Sequence, residues 1–184
     1  MSPDEARELM HEWTASESLR VHMECVAACM GAYADRLEPE QRDRWVVCGL
    51  LHDFDYERHP SRDEHPFVGV EHLRSRGEVD EEILQAILGH AEYSGVARTT
   101  AMAKALFAVD ELAGFIVACA KVRPTGIADL QPKSVKKKLN DKAFAAAVSR
   151  EDIALGMQEL AVDQTEHIQT CIDAISSERH RIHL

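Results

Sequence analysis

Apolar residues in this chain recur at spacings of three and four, and the pattern divides the sequence into a succession of amphipathic helices. Residues 3–12 read as a short helix with Pro3 in its first turn. Thr14-Ala15-Ser16-Glu17 has capping-box spacing and begins a second helix to about Leu37, with Leu19, His22, Met23, Val26 and Met30 on one face. Pro39 opens a third, which runs through the apolar stretch Trp45–Leu51 and ends at His52-Asp53. Asp55 to Pro66, charged and carrying Pro60 and Pro66, reads as a loop. Phe67, Val70 and Leu73 then mark a helix stopped by Gly77, and Asp80 starts another that carries Ile83, Leu84, Ile87 and Leu88 to about His90. Ala101 to Val122 reads as a buried central helix. Ser149 and Asp163 have the position of caps for two more, the last with the stripe Ile168, Ile172 and Ile175. No stretch alternates with period two, and no repeat is evident. The expected fold is all-α: a single-domain helical bundle over residues 1–184, with a core of about 18–125, a C-terminal helical extension over 126–178 and a frayed tail from Arg179.

Composition narrows this reading without changing it. A chain of 184 residues with 45% hydrophobic content can bury one ordinary core, and 5% aromatic residues favour helices over a sandwich. The formal net charge of −11 excludes a general nucleic-acid grip, which requires clustered Lys and Arg. The run Ala101–Val122 has the length of a membrane span, but Lys104, Asp110, Glu111 and Lys121 make it a soluble core helix. The polar N-terminus lacks a signal peptide's apolar region, so a cytoplasmic protein without membrane attachment is expected. Cys25, Cys29, Cys48, Cys119 and Cys171 lie in apolar helical segments with no CxxC pair, as reduced core residues do.

Four of the apolar segments each deliver a polar residue that is costly to bury: His22, the doublet His52-Asp53, His90 and Asp110. Facing helices of a bundle can aim such side chains at one interior point and hold a metal there. Imidazole nitrogens mixed with carboxylate oxygens suit Mn, Fe, Co, Ni or Zn, with Mg less favoured as histidines are added. Adjacent positions on a helix point about 100° apart, so His52 and Asp53 can share an ion only at a helix end. His11, His167, His180 and His183 read as surface residues, and nothing supports His72 as a ligand.

His22, His52-Asp53 and Asp110 together resemble the H…HD…D signature of the HD superfamily of metal-dependent phosphohydrolases, over roughly residues 18–125. His65-Pro66-Phe67-Val68-Gly69 and Ala86-Ile87-Leu88-Gly89-His90 are similar to the two later histidine segments of its HDIG-type branch. The resemblance implies a first divalent ion on His22, His52, Asp53 and Asp110. In binuclear members, histidines at the positions of His65 and His90 join the HD aspartate on a second ion. This chain has His90-Ala91 where such members often have a His-His pair, so one ion, and at most two, is expected. The implied reaction is hydrolysis of a small phosphomonoester or phosphodiester, such as a nucleotide, by an activated water. Asp55, Glu57 and His59 are the acid/base candidates by proximity, and Arg123 is a candidate phosphate binder. A regulatory module that binds a metal or nucleotide without catalysis is the alternative from another class, and a di-iron oxygenase of the same fold is a further one.

Overall fold

The structure, a computed structural model, describes residues 1–182; His183, expected at the surface, lies outside them. It is helical, with nine α-helices and no strand among the described residues. The order is α1 (Pro3–Trp13), α2 (Glu17–Leu37), α3 (Arg42–Leu51), α4 (Phe67–Arg76), α5 (Glu81–His90), α6 (Ala101–Lys121), α7 (Pro132–Leu139), α8 (Arg150–Leu160) and α9 (Gln164–Ser177). Short 3-10 turns, Pro39–Gln41 and Glu92–Ser94, precede α3 and follow α5. None of the helices is long and apolar enough to cross a membrane.

Local chemistry sets most boundaries. Asp80, Ser149 and Asp163 accept hydrogen bonds from the first-turn amides of α5, α8 and α9, and Gly77 ends α4 in the left-handed conformation. The expected capping box at Thr14 is displaced. Ser16 caps α2, while Thr14 closes α1 and donates its hydroxyl to the Phe54 carbonyl. Thr14 is fully buried, so a partner in the loop after α3 outweighs the local cap.

The core is built on α6, which packs against α2, α5 and α8, with α2 also facing α3 and α9. All five cysteines are free and buried in it. The α2–α3 approach is close: a Cβ on Gly49 would come within 2.6 Å of the Ala27 Cα. That contact brings His22 on α2 beside His52, which follows α3. The C-terminal tail is more ordered than expected. Arg181 binds Glu24, whose other oxygen takes Arg7 at 2.9 Å, and Ile182 is buried. His167 is also not a surface residue. It is fully buried on α9, its Nδ1 2.5 Å from the Tyr33 hydroxyl and its Nε2 3.0 Å from the Ala108 carbonyl. Two hydrogen bonds thus satisfy a polar ring that the apolar stripe of α9 carries inward.

Candidate metal centre

Asp53 leaves the end of α3 with one carboxylate oxygen facing each of two histidine pairs. Its Oδ2 lies 3.7 Å from both His22 Nε2 and His52 Nε2, and its Oδ1 lies 3.3 Å from both His65 Nε2 and His90 Nε2. Asp110, at the middle of α6, adds Oδ1 at 3.0 Å from His22 Nε2 and 3.5 Å from His52 Nε2. The donors therefore form two lobes, His22–His52–Asp110 and His65–His90, joined through Asp53.

The far side of the rings fixes which nitrogen points inward. His52, the residue that caps α3, donates its Nδ1 proton to the Gly49 carbonyl at 2.8 Å, and His90, the last residue of α5, donates its Nδ1 proton to the Ile87 carbonyl. His65 comes from the loop, and its Nδ1 donates at 2.8 Å to Asp55, whose other oxygen accepts the Gly69 amide at 2.7 Å. With Nδ1 committed as donor, the neutral tautomer leaves a bare lone pair on Nε2. His65 Nε2 and His90 Nε2 then face each other at 3.3 Å, and His52 Nε2 and His22 Nε2 at 3.2 Å. Two lone pairs cannot bond each other, so the His65–His90 lobe requires a proton or a cation, while in the other lobe His52 Nε2 turns its lone pair toward His22 Nε2 and Asp110 lies 3.0 Å from the latter.

The electrostatics agree. Burial opposes charge on His52, but the Asp53 and Asp110 carboxylates outweigh it and lift its pKa to about 9. Burial likewise opposes charge on His65, and Asp53 and Asp55 lift it to about 9. For Asp53 and Asp110 burial favours the neutral acid, yet the surrounding imidazoles hold both carboxyls well below their usual range. Donor spacing is a separate test of fit. Ligands bound at about 2.1 Å around one ion stand roughly 3 to 3.4 Å apart, and the contacts within the lobes run from 3.0 to 3.7 Å. The cluster is compatible with a divalent metal.

A cavity of about 540 Å³ opens over the cluster, lined by His22, Asp53, His65, His90 and Asp110. Sequence proximity does not predict what else faces it. Of the acid/base candidates, Asp55 is buried behind His65. Glu57 accepts the amides of Ala15 and Ser16 at 2.8 and 2.9 Å, ahead of α2, and His59 faces Glu64 at 3.3 Å. Arg123 pairs with Asp129 at 2.7 Å beyond the far end of α6, and the His72 ring lies against Trp13, tilted by 51° with centroids 4.6 Å apart. The cavity walls instead carry Tyr56, Arg62, Tyr93, Glu111 and Asp152. Tyr56 and Arg62 fall in the loop read as a charged segment, but a period of 3.6 says nothing about which loop side chains turn inward.

An HD domain family model matches residues 20–114, just over half of the chain, and that span holds His22, His52, Asp53, His65, His90 and Asp110. The chain belongs to the HD-domain family. No curated protein and no solved structure gives a match. HD domains are commonly metal-dependent phosphohydrolases, and the cluster stands inside the matched span of this HD domain. The cavity wall formed by Val148 and Asp152 stands outside it.

Proposed function

We propose that this HD-domain protein is a divalent-metal-dependent phosphohydrolase of the HDIG type acting on a small phosphorylated substrate. The observation that carries the reading is Asp53 placed between two histidine pairs, each with converging Nε2 atoms. His22, His52, Asp53 and Asp110 would hold one ion, and Asp53, His65 and His90 a second. The nitrogen-rich set favours Mn, Fe, Co, Ni or Zn over Mg. A divalent ion there supplies Lewis acidity, lowering the pKa of nearby water and neutralising phosphoryl charge. The protein's own groups do the rest. Asp55 holds His65 in register, and Arg62 stands in the cavity as a cation for the phosphate oxygens. The ester P–O bond breaks, a P–O bond to the water oxygen forms, and the water's proton passes to the leaving alcohol. Glu111, in the cavity beside Asp110, is the carboxyl group placed to relay that proton.

Metal analysis after purification without chelator tests the site, and assays against phosphomonoesters and phosphodiesters with Mn, Co, Ni and Mg test the chemistry. Between one and two transition-metal ions per chain are expected, with loss of both metal and phosphoesterase activity in Asp53→Ala. Activity unchanged in Asp53→Ala would sink the hydrolase reading. A metal-loaded protein inert to every ester would favour a binding module or an oxygenase.

A further inference from the structure

The cavity is chemically lopsided along the line of its two lobes. On the His65 side, the Tyr56 ring lies 5.0 Å from the His65 ring, and the Tyr93 hydroxyl donates to the His65 carbonyl at 3.1 Å. The Arg62 guanidinium sits over the Tyr93 ring, 5.3 Å from its centroid. Among the described residues Arg62 makes no ion pair, and it is the one Lys or Arg that lines the cavity. On the Asp110 side stand Glu111 and, from the first turn of α8, Asp152. The Ser149 amide binds Glu111 at 3.1 Å and so ties the start of α8 to α6 beside the cluster. Asp152 uses its backbone amide in the Ser149 cap, while its carboxylate has no cationic partner among the described residues.

Resting on the hydrolase reading, we infer that the substrate is a phosphomonoester whose leaving group carries hydroxyl or ammonium donors, with Asp152 as the specificity-determining residue. A single phosphate spans Arg62 and the cluster, and its leaving group extends toward Glu111 and Asp152. Hydroxyl or ammonium donors there meet carboxylate acceptors in a partly enclosed cleft, where charge-assisted hydrogen bonds are strong. A second or third phosphate in the same place meets like charge instead. The wall therefore selects against nucleoside di- and triphosphates as well as for donor-rich alcohols. Because Asp152 lies outside the residues matched to the HD domain, this selectivity belongs to the C-terminal part of the chain.

The experiment uses the full-length, manganese-loaded protein with four probes: 2-aminoethyl phosphate, glycerol 3-phosphate, phenyl phosphate and a nucleoside triphosphate. Wild type is expected to prefer the two donor-rich monoesters. In Asp152→Ala the ratio of kcat/KM for donor-rich ester over phenyl phosphate falls about tenfold or more, as loss of a charge-assisted hydrogen bond implies. Arg62→Ala lowers all three monoesters together and leaves that ratio in place. Asp152→Asn separates the two donor types, because an amide still accepts from a hydroxyl but no longer attracts an ammonium. Hydrolysis without preference in wild type, or a ratio unmoved in Asp152→Ala, overturns the inference and leaves the hydrolase reading standing. Calorimetry covers the opposite failure. If no ester is cut, but 2-aminoethyl phosphate binds and does so more weakly in Asp152→Ala, the hydrolase reading falls and the pocket assignment survives.

Discussion

Asp55 touches no part of the cavity, yet it governs how His65 presents itself there. Its Oδ1 accepts the His65 Nδ1 proton and its Oδ2 accepts the Gly69 amide, so the carboxylate is clamped and the imidazole is held in one tautomer. In Asp55→Asn the amide group can present a donor to Nδ1, which moves the ring proton to Nε2, the atom that faces His90 and Asp53. Metal affinity at the His65–His90 lobe should then fall about ten- to a hundredfold, while the His22–His52–Asp110 lobe keeps its ion. Metal stoichiometry measured during titration with Mn or Zn checks this. Equal loss from both lobes would mean that Asp55 acts on the fold rather than on His65. Gly69 offers a second route to the same clamp, because a Cβ there would meet Asp55 Cγ at 2.7 Å.

At the scale of elements, the centre depends on where α2, α3, α5 and α6 end or cross, and Gly49 sets one of those crossings. An added methyl has to push against the Ala27 backbone, which is not the far end of a flexible side chain. Gly49→Ala should cost roughly 1–3 kcal/mol through overpacking and lower the melting temperature by about 2–4 °C per kcal/mol. It should also weaken metal binding, since His22 and His52 ride on the two helices forced apart. Differential scanning calorimetry with and without metal checks both effects. The helices themselves were legible because α4, α5, α8 and α9 carry their punctuation in short-range chemistry: Gly77, Asp80, Ser149 and Asp163. Thr14 misled because its hydroxyl partner, the Phe54 carbonyl, is 40 positions away. The six converging residues were legible as costly polar groups in apolar segments and as a resemblance, whereas Tyr56, Arg62, Tyr93 and Asp152 were not. These sit on a loop, a 3-10 turn and a helix start whose orientation is decided by tertiary packing.

Across the whole molecule, α9 ties α2, α6 and α7 together, and His167 is a titratable residue at the centre of that contact. It looked like a surface residue because a polar ring beside an Ile stripe carries no local sign of distant partners. Tyr33 on α2 donates to its Nδ1 and its Nε2 donates to the Ala108 carbonyl on α6, so the ring is neutral and bridges three helices. Burial pushes its pKa down, and the bond to Ala108 opposes that only in part. A histidine with a lowered folded-state pKa binds its proton more readily in the unfolded chain. Its contribution to stability is therefore complete above the unfolded value of about 6.5 and is lost as pH falls from there toward the folded value. His167→Gln supplies the reference, being similar in polarity and unable to titrate. Wild type should exceed it by about 1–3 kcal/mol above pH 7, the cost of disturbing buried hydrogen bonds, and the gap should narrow as pH falls from 7 to 5. Protons on the cluster are common to both proteins and cancel in the difference. Denaturant melts at several pH values measure that gap directly, and a gap that stays constant with pH would show that His167 holds the same proton in the folded and unfolded chain.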